Sequence, residues 1–405
     1  MRSISVVQTV KERPGTKEKS TQKSPTGKSS RKYVASAVIA FALFIVTNIA
    51  LFTIFGPVKT YGNDLWNGTG SIDLAIEDFK KLESKPDVVL LGSSLMMYPF
   101  WSMDFNRDQS IGDLFHHHRS STLENKLSKD GAVNKPTVFS WAIFGQMASD
   151  SYIYANEFLK GDKKPRMVIW GIAPRDFSDA ELSSPMNTIS FQRLVNLNNF
   201  SEYGDIYLPT FQDKADFIIS KSVFLYGRRW HIQKEINKGA DKVRMWTNPS
   251  APVSENKPGF EKDAGGFKFT GGREEIWEHS TLEYQKRYKN IDIEKLRIQL
   301  GFMKRMLSLL NERGVQVMIV NMPLTETNRE LMPQGFYDSF RQEVARIAKE
   351  EGAVFEDHGA DGDISNSDFW DTAHMSYQGG YKLLDKITPT IEGMLSNTET
   401  AQSRP

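Results

Sequence analysis

An aspartate and a histidine stand one helical turn apart near the C-terminus, in Trp370-Asp371-Thr372-Ala373-His374. Ser94, a serine that could work with them, lies 280 residues before His374, where the apolar run Val88-Val89-Leu90-Leu91 ends abruptly in Gly92-Ser93-Ser94. A serine hydroxyl is a poor nucleophile until a histidine takes its proton. The histidine in turn needs a carboxylate that holds its tautomer and stabilises the imidazolium. Residues at i and i+3 face each other on one turn, as Asp371 and His374 would. These three residue types are what a serine hydrolase or acyltransferase requires. Plainer readings stand beside that one. Gly-Ser-Ser also suits a turn with an N-cap serine, and Asp371 also suits the N-cap of a helix over 376–387.

Other candidates follow the strand-like runs. Phe139-Ser140-Trp141-Ala142-Ile143-Phe144 leads into Gly145. A glycine there lets backbone approach a ligand and offer its N–H to an oxyanion, alongside the N–H groups of the turn at Ser94. Gly171-Ile172-Ala173-Pro174-Arg175-Asp176 ends a third run. Arg175 is a candidate for binding an anionic substrate group, or for an internal ion pair with Asp176 or Asp179. His116-His117-His118 is the visible metal candidate, but three consecutive histidines point in different directions, so a solvated surface run is the better reading and no metal site is expected. The chain has no cysteine, which excludes cysteine catalysis and thiolate metal sites. No cofactor is called for.

The elements that must carry these residues alternate. Short continuous apolar runs at 88–91, 137–141, 167–170, 315–320 and 353–355 suit buried parallel strands. Helical stretches fall between them at 149–159, 291–313 and 336–351, the last two each stopped by a glycine. This alternation predicts an α/β three-layer sandwich with a mostly parallel sheet. Sites in such sheets lie at the carboxyl ends of the strands, where Ser94 falls directly and Asp371 and His374 can return. Residues 178–290 break the pattern, being aromatic and polar with weak periodicity, and read as an insertion that covers or flanks the site or docks a partner.

The N-terminal part is different. Residues 1–32 carry nine Lys/Arg against Glu12 and Glu18 and read as a disordered basic tail. Residues 33–55 hold no charge and are long enough for a transmembrane helix, which predicts an uncleaved single-pass anchor with the basic tail in the cytoplasm. A linker and a helix near 72–82 occupy 56–84, the globular domain covers 85–395, and 396–405 reads as a frayed tail. The total charge is near balance, with 51 Lys/Arg against 50 Asp/Glu. No nucleic-acid partner is expected. The lipid bilayer is one partner, and the tail suits cytoplasmic partners or anionic headgroups.

Taken in order, these blocks resemble the SGNH/GDSL hydrolase superfamily. Its first block, a strand and then Gly-Asp-Ser, is similar to Val88–Ser94 with Ser93 in the aspartate's place. The second is matched by Gly145, and the last, Asp-x-x-His, by Asp371 and His374. The third block, Gly-x-Asn-Asp, is not matched, because Gly171-Ile172-Ala173-Pro174-Arg175-Asp176 has no asparagine. The resemblance implies an SGNH- or flavodoxin-like sandwich with Ser94 as nucleophile, His374 as base and Asp371 as its orienting acid. Gly-Ser-Ser and the anchor are more similar to the membrane-anchored branch that includes the D-alanine transfer protein of teichoic acid modification and alginate O-acetyltransferase-like proteins. That branch implies acyl transfer to an envelope or secreted polysaccharide, often beside a multi-spanning membrane acyltransferase. An extracytoplasmic esterase of glycans or lipids, and a non-catalytic glycan-binding or assembly protein, are the alternatives.

Overall fold

The computed structural model describes residues 28–56, 69–112, 114–129, 135–182, 184–229 and 272–402, with 232–233, 235–237, 239–240, 261–263 and 266–268 between them. The chain forms two compact units, Met1–Gly56 and Pro57–Pro405. Residues 1–27 of the basic tail expected over 1–32, and residues 57–68 of the expected linker, lie outside the described residues.

In the first unit one helix runs over Lys28–Phe55. Its Tyr33–Phe55 stretch, 23 residues of mean hydropathy 2.5, is long and apolar enough to cross a membrane. The helix begins five residues before the uncharged segment, inside the stretch read as tail.

The second unit is built on five parallel strands: β1 (Val88–Gly92), β2 (Val138–Ala142), β3 (Met167–Ile172), β4 (Gln316–Asn321) and β5 (Val354–Asp357), in the order β2-β1-β3-β4-β5. β1 to β3 are buried at every position, which is why they read as unbroken apolar runs without alternation. Successive side chains still go to opposite faces. Val89, Leu91, Phe139, Trp141, Val168 and Trp170 enter one core layer, and Val88, Leu90, Val138, Met167 and Ile169 enter the other. Residues of helices Ala148–Phe158, Ile293–Glu312 and Phe336–Glu350 fill the first layer. Those of Ser94–Arg107, Ser121–Lys129 and Tyr377–Gln402 fill the second. The result is a helix–sheet–helix sandwich. Its strand order reverses beside β1, the position where open α/β sheets leave a crevice at their carboxyl edge.

The described parts of residues 178–290 are more helical than their weak periodicity suggests. Helices Ile189–Leu194, Phe200–Tyr207 and Phe211–Ser222 place Phe191, Tyr203, Tyr207 and Phe217 in the first core layer. Helix Arg273–Tyr288 places Tyr284 and Tyr288 in the second. These described helices are therefore part of the core. The first two of these helices are short, six and eight residues, and held by tertiary packing, so local periodicity is faint. The C-terminal helix continues to Gln402, through most of the stretch expected to fray.

Candidate active site

Ser94 is delivered by the end of β1. Gly92 closes the strand at φ +145°, and Ser93 caps the Ser94–Arg107 helix, its hydroxyl accepting from the Leu95 N–H at 3.4 Å. The cap role read as the plainer alternative thus belongs to Ser93, which leaves the Ser94 hydroxyl for other work. The turn is tight. A Cβ on Gly92 would meet the Gly171 carbonyl oxygen at 2.6 Å and Met96 Cβ at 2.9 Å. One on Gly171 would meet Met96 Sδ at 2.7 Å and Met322 Sδ at 2.9 Å. The two glycines pair across β1 and β3, and so let the new helix settle onto the sheet edge.

The turn after β5 returns to this place. Ser94 Oγ lies 2.9 Å from His374 Nε2, and His374 Nδ1 lies 2.7 Å from Asp371 Oδ2. The other Asp371 oxygen, Oδ1, accepts the backbone N–H groups of Ala373 and His374, both at 2.8 Å. Burial alone would raise the Asp371 carboxyl, but the charge of His374, its ring hydrogen bond and these two N–H groups outweigh it and hold the carboxyl below its usual value. Asp371 is buried, whereas Ser94 and His374 keep partial exposure. Hydroxyl, imidazole and carboxylate therefore form one hydrogen-bonded chain whose outer end opens to solvent.

Gly145 has φ +70° in the turn after β2. That turn is fastened to the end of β1, because the Ile143 N–H donates to the Gly92 carbonyl at 3.0 Å and the Gln146 N–H to the Ile143 carbonyl at 3.1 Å. Arg175 lies alongside, its Nη2 3.5 Å from where a Gly145 Cβ would stand. The guanidinium is buried and pairs with Asp176 at 3.4 Å and Asp179 at 3.1 Å. Arg287 pairs with Asp179 and Glu283 in the same cluster. These are the internal ion pairs of the plainer reading of Arg175, made beside the Gly145 turn.

The surface reading of the histidine run is corrected. His117 Nε2 bonds Asp104 Oδ2 at 2.9 Å, and His118 is buried with its ring stacked on Phe139. Burial pushes His118 down to about 4. Only His116 is exposed, so the run is not a solvated surface stretch. Among the described residues no group of His, Asp or Glu is placed to hold a metal ion.

Several residues at the site carried no sequence signal. The Tyr98 ring, one turn along the helix from Ser94, packs 4.7 Å from the His374 ring. Its burial, together with the nearby Asp371 charge, keeps the phenol neutral well above its ordinary range. Asp176 lies beneath the Ser93–Ser94 turn, bonded to the Ser93 hydroxyl and to the Ala173 N–H at 3.0 Å. Burial pushes its carboxyl up to about 6 against the opposing pull of Arg175. Ser280 on the Arg273–Tyr288 helix reaches the Thr372 hydroxyl at 2.6 Å. Only the adjacency of Arg175 and Asp176 was a signal in the chain, and it pointed to the ion pair, not to Ser93.

No curated protein matches the chain. Residues 72–387, which include all five strands and every member of the Ser94–His374–Asp371 chain, match a family described as a protein of unknown function, DUF1574, and the chain belongs to that family.

Proposed function

We propose that this protein is a membrane-anchored acyltransferase of SGNH type, working on a cell-envelope or secreted polysaccharide through an acyl-serine. The observation that carries the reading is the unbroken Ser94–His374–Asp371 hydrogen-bond chain at the carboxyl edge of a parallel sheet. His374 Nε2 takes the Ser94 proton as Oγ attacks the acyl carbonyl, and Asp371 steadies the imidazolium. Backbone N–H groups of Ser94 and Gly145 serve the oxyanion. The Ser94 N–H suits this because the first turn of a helix supplies it no acceptor. His374 then gives its proton to the leaving group. In the second half a sugar hydroxyl passes its proton to His374 and attacks the acyl-serine, and Ser94 is restored. Residues 33–55 anchor the chain, with the Lys/Arg-rich N-terminal side in the cytoplasm and the α/β unit outside. A multi-spanning membrane acyltransferase is the partner of kind expected to supply acyl groups.

Hydrolysis is the second reading, and the partial exposure of Ser94 and His374 favours it, since water can reach the ester. The test uses the full-length protein with a fluorophosphonate probe and an activated acyl ester. Labelling at Ser94, followed by acyl transfer to an added polysaccharide faster than release to water, supports transfer. Release to water alone makes the protein an esterase, and absence of labelling in a folded protein rejects both.

A further inference from the structure

The helix that begins at Ser94 carries a row of rings. Ser94, Tyr98, Trp101 and Phe105 follow one another at spacings of four, three and four residues, so they share one face of the Ser94–Arg107 helix. Such a stripe ordinarily faces a core, and Tyr98, 1% exposed, does. The next two rings climb out of it. Trp101 and Phe105 are partly exposed, and Asn106, Arg107 and Asp108 beyond them are exposed. The two rings stack, with 5.3 Å between centroids and 23° between planes. Tyr98 joins the row to the site. Its ring meets Trp101 edge-on at 6.4 Å and Phe144 edge-on at 5.8 Å, and lies 4.7 Å from the His374 ring. Phe144 precedes Gly145, is partly exposed, and packs on the partly exposed Phe115 at 5.1 Å.

Aromatic contacts therefore run without a break from the His374 ring to Phe105, about 16 Å along the helix from Ser94. An occupant of this row has its inner end at the Ser94 hydroxyl, so it is a substrate of that site. The proposed reaction brings two substrates there, an acyl group and a sugar acceptor, and the form of the row favours the acceptor. An acyl tail gains most from full enclosure away from water. Trp101, Phe105, Phe115 and Phe144 all keep part of their surface in solvent. A polysaccharide passes through a site with both ends free, which needs an open surface of this kind. A pyranose also carries C–H groups on its faces and hydroxyls at its rim. The face of an aromatic ring is the negative part of its quadrupole and attracts those C–H groups, while the rim stays wet.

We propose that Trp101, Phe105 and Phe144 form a platform on which sugar rings of the acceptor polysaccharide stack, with one hydroxyl brought to the acyl-serine. The inference rests on the acyl-serine reading of Ser94 and deepens it, because it assigns side chains to the acceptor.

The test uses the full-length protein with acetyl and octanoyl chromogenic esters as donors. The acceptors are hexasaccharides of glucose, N-acetylglucosamine and glucuronate, each beside its single sugar. The expected result is acyl transfer to at least one hexasaccharide, with an acceptor KM that rises about ten-fold in Trp101→Ala and in Phe105→Ala while kcat moves less than about two-fold. Trp101→Phe, which keeps a ring in place, should recover most of the loss. Phe105→Ala, nearer the surface, keeps the test open if Trp101→Ala misfolds. Phe211→Ala, at an aromatic 87% exposed on another helix, is the control and should change neither constant. The single sugar, too short to span the row, should be nearly indifferent to Phe105. A hexasaccharide KM that ignores Trp101 and Phe105 overturns the proposal. A loss that appears instead as a lower octanoyl-to-acetyl ratio also overturns it, and gives the row to the acyl tail. If Ser94 is labelled by the fluorophosphonate and turns over ester, yet none of the hexasaccharides is acylated, the platform is rejected while the acyl-serine reading stands. If folded protein takes no label, that reading fails and this inference falls with it.

Discussion

The Ser280 and Thr372 hydroxyls meet at 2.6 Å in the core, tying the turn that carries Asp371 and His374 to a helix 92 residues earlier in the chain. The Thr372 N–H also donates to Ser280 Oγ at 3.3 Å, and the Thr372 carbonyl accepts from the Thr325 hydroxyl at 2.6 Å. The turn is thus clamped from two sides, and Asp371 and His374 inherit their aim from it. Ser280→Ala leaves buried polar groups of Thr372 short of a partner. It is expected to cost about 1–2 kcal/mol in urea unfolding. It is also expected to lower kcat of the proposed Ser94-dependent reaction while KM barely moves. Ser280→Thr, which keeps a hydroxyl, should recover part of the rate, whereas a merely structural loss would not be rescued in kcat.

Ser94→Ala removes the proposed nucleophile without touching the cap, because Ser93 holds that role. Unfolding midpoints should stay within experimental scatter. Fluorophosphonate labelling should vanish and turnover should fall by roughly four orders of magnitude or more. Adding His374→Ala to this variant should cost little further rate, since the pair acts as one unit.

What could be read from the chain follows from where information is local. The inner strands were legible because both faces of the sheet are covered there, so β1, β3 and most of β4 are continuous apolar runs, whereas the edge strand β5 is only partly buried and ends in Glu356-Asp357; strand ends shifted by a residue or two because pairing, not composition, sets the register. Asp371 and His374 were legible because their geometry is a property of one turn. Arg175 was legible only in half. Its neighbour Asp176 stands next in sequence, but the cluster that holds it includes Arg287, 112 residues on. His118 looked solvated by its company, yet the bridge between Arg119 and Phe139 draws that segment against the edge of β2. The helices of 189–207 are too short to show a period, and the Phe191, Tyr203 and Phe217 anchors mean nothing until the sheet exists to receive them.

Asp371→Asn keeps the shape of the carboxylate and changes what faces the imidazole. An amide N–H directed at His374 Nδ1 drives the ring proton to Nε2, where it blocks acceptance from Ser94. A fall of about 10³–10⁴ in kcat is expected with KM little changed. Stability gives a second readout. The folded carboxyl sits below its unfolded value, so its contribution is full above the ordinary aspartate range and is lost as pH falls through the lowered value. The acid-unfolding curve of Asp371→Asn should therefore be flatter than that of the unmodified protein below about pH 4.

Asp176 titrates in the opposite sense. Its folded carboxyl is raised to about 6 by burial, above the 3.8 of the free side chain. Its contribution to stability is thus fullest below the unfolded value and is lost as pH rises from there through about 6. Asp176→Asn cannot ionise, so relative to the unmodified protein it should gain between pH 4 and pH 6. The gain should be of the order of 2–3 kcal/mol and level off above that window. Denaturant midpoints at closely spaced pH values check this. A difference between the two proteins that stays constant with pH would show that Asp176 is ionised throughout.

Gly92→Ala tests whether the Ser94 turn depends on close backbone approach. The φ of +145° is a region that L residues rarely adopt, and the added methyl would lie 2.6 Å from the Gly171 carbonyl oxygen, a backbone atom with no side-chain rotation to escape by. Relief requires β1 and β3 to part at their carboxyl ends, or the Ser94–Arg107 helix to lift from the sheet with Met96. Either movement carries Ser94 away from His374 Nε2 and loosens the Ile143 bond to the Gly92 carbonyl that fixes the Gly145 turn. A loss of about 2–4 kcal/mol in stability is expected. In the fraction that stays folded, activity should fall further than stability predicts. If the variant folds fully and keeps normal turnover, the turn tolerates a side chain and the two-glycine contact does not position the nucleophile. Gly171→Ala, whose clashes are with the flexible ends of Met96 and Met322, should be milder on both measures and so separates backbone crowding from side-chain crowding.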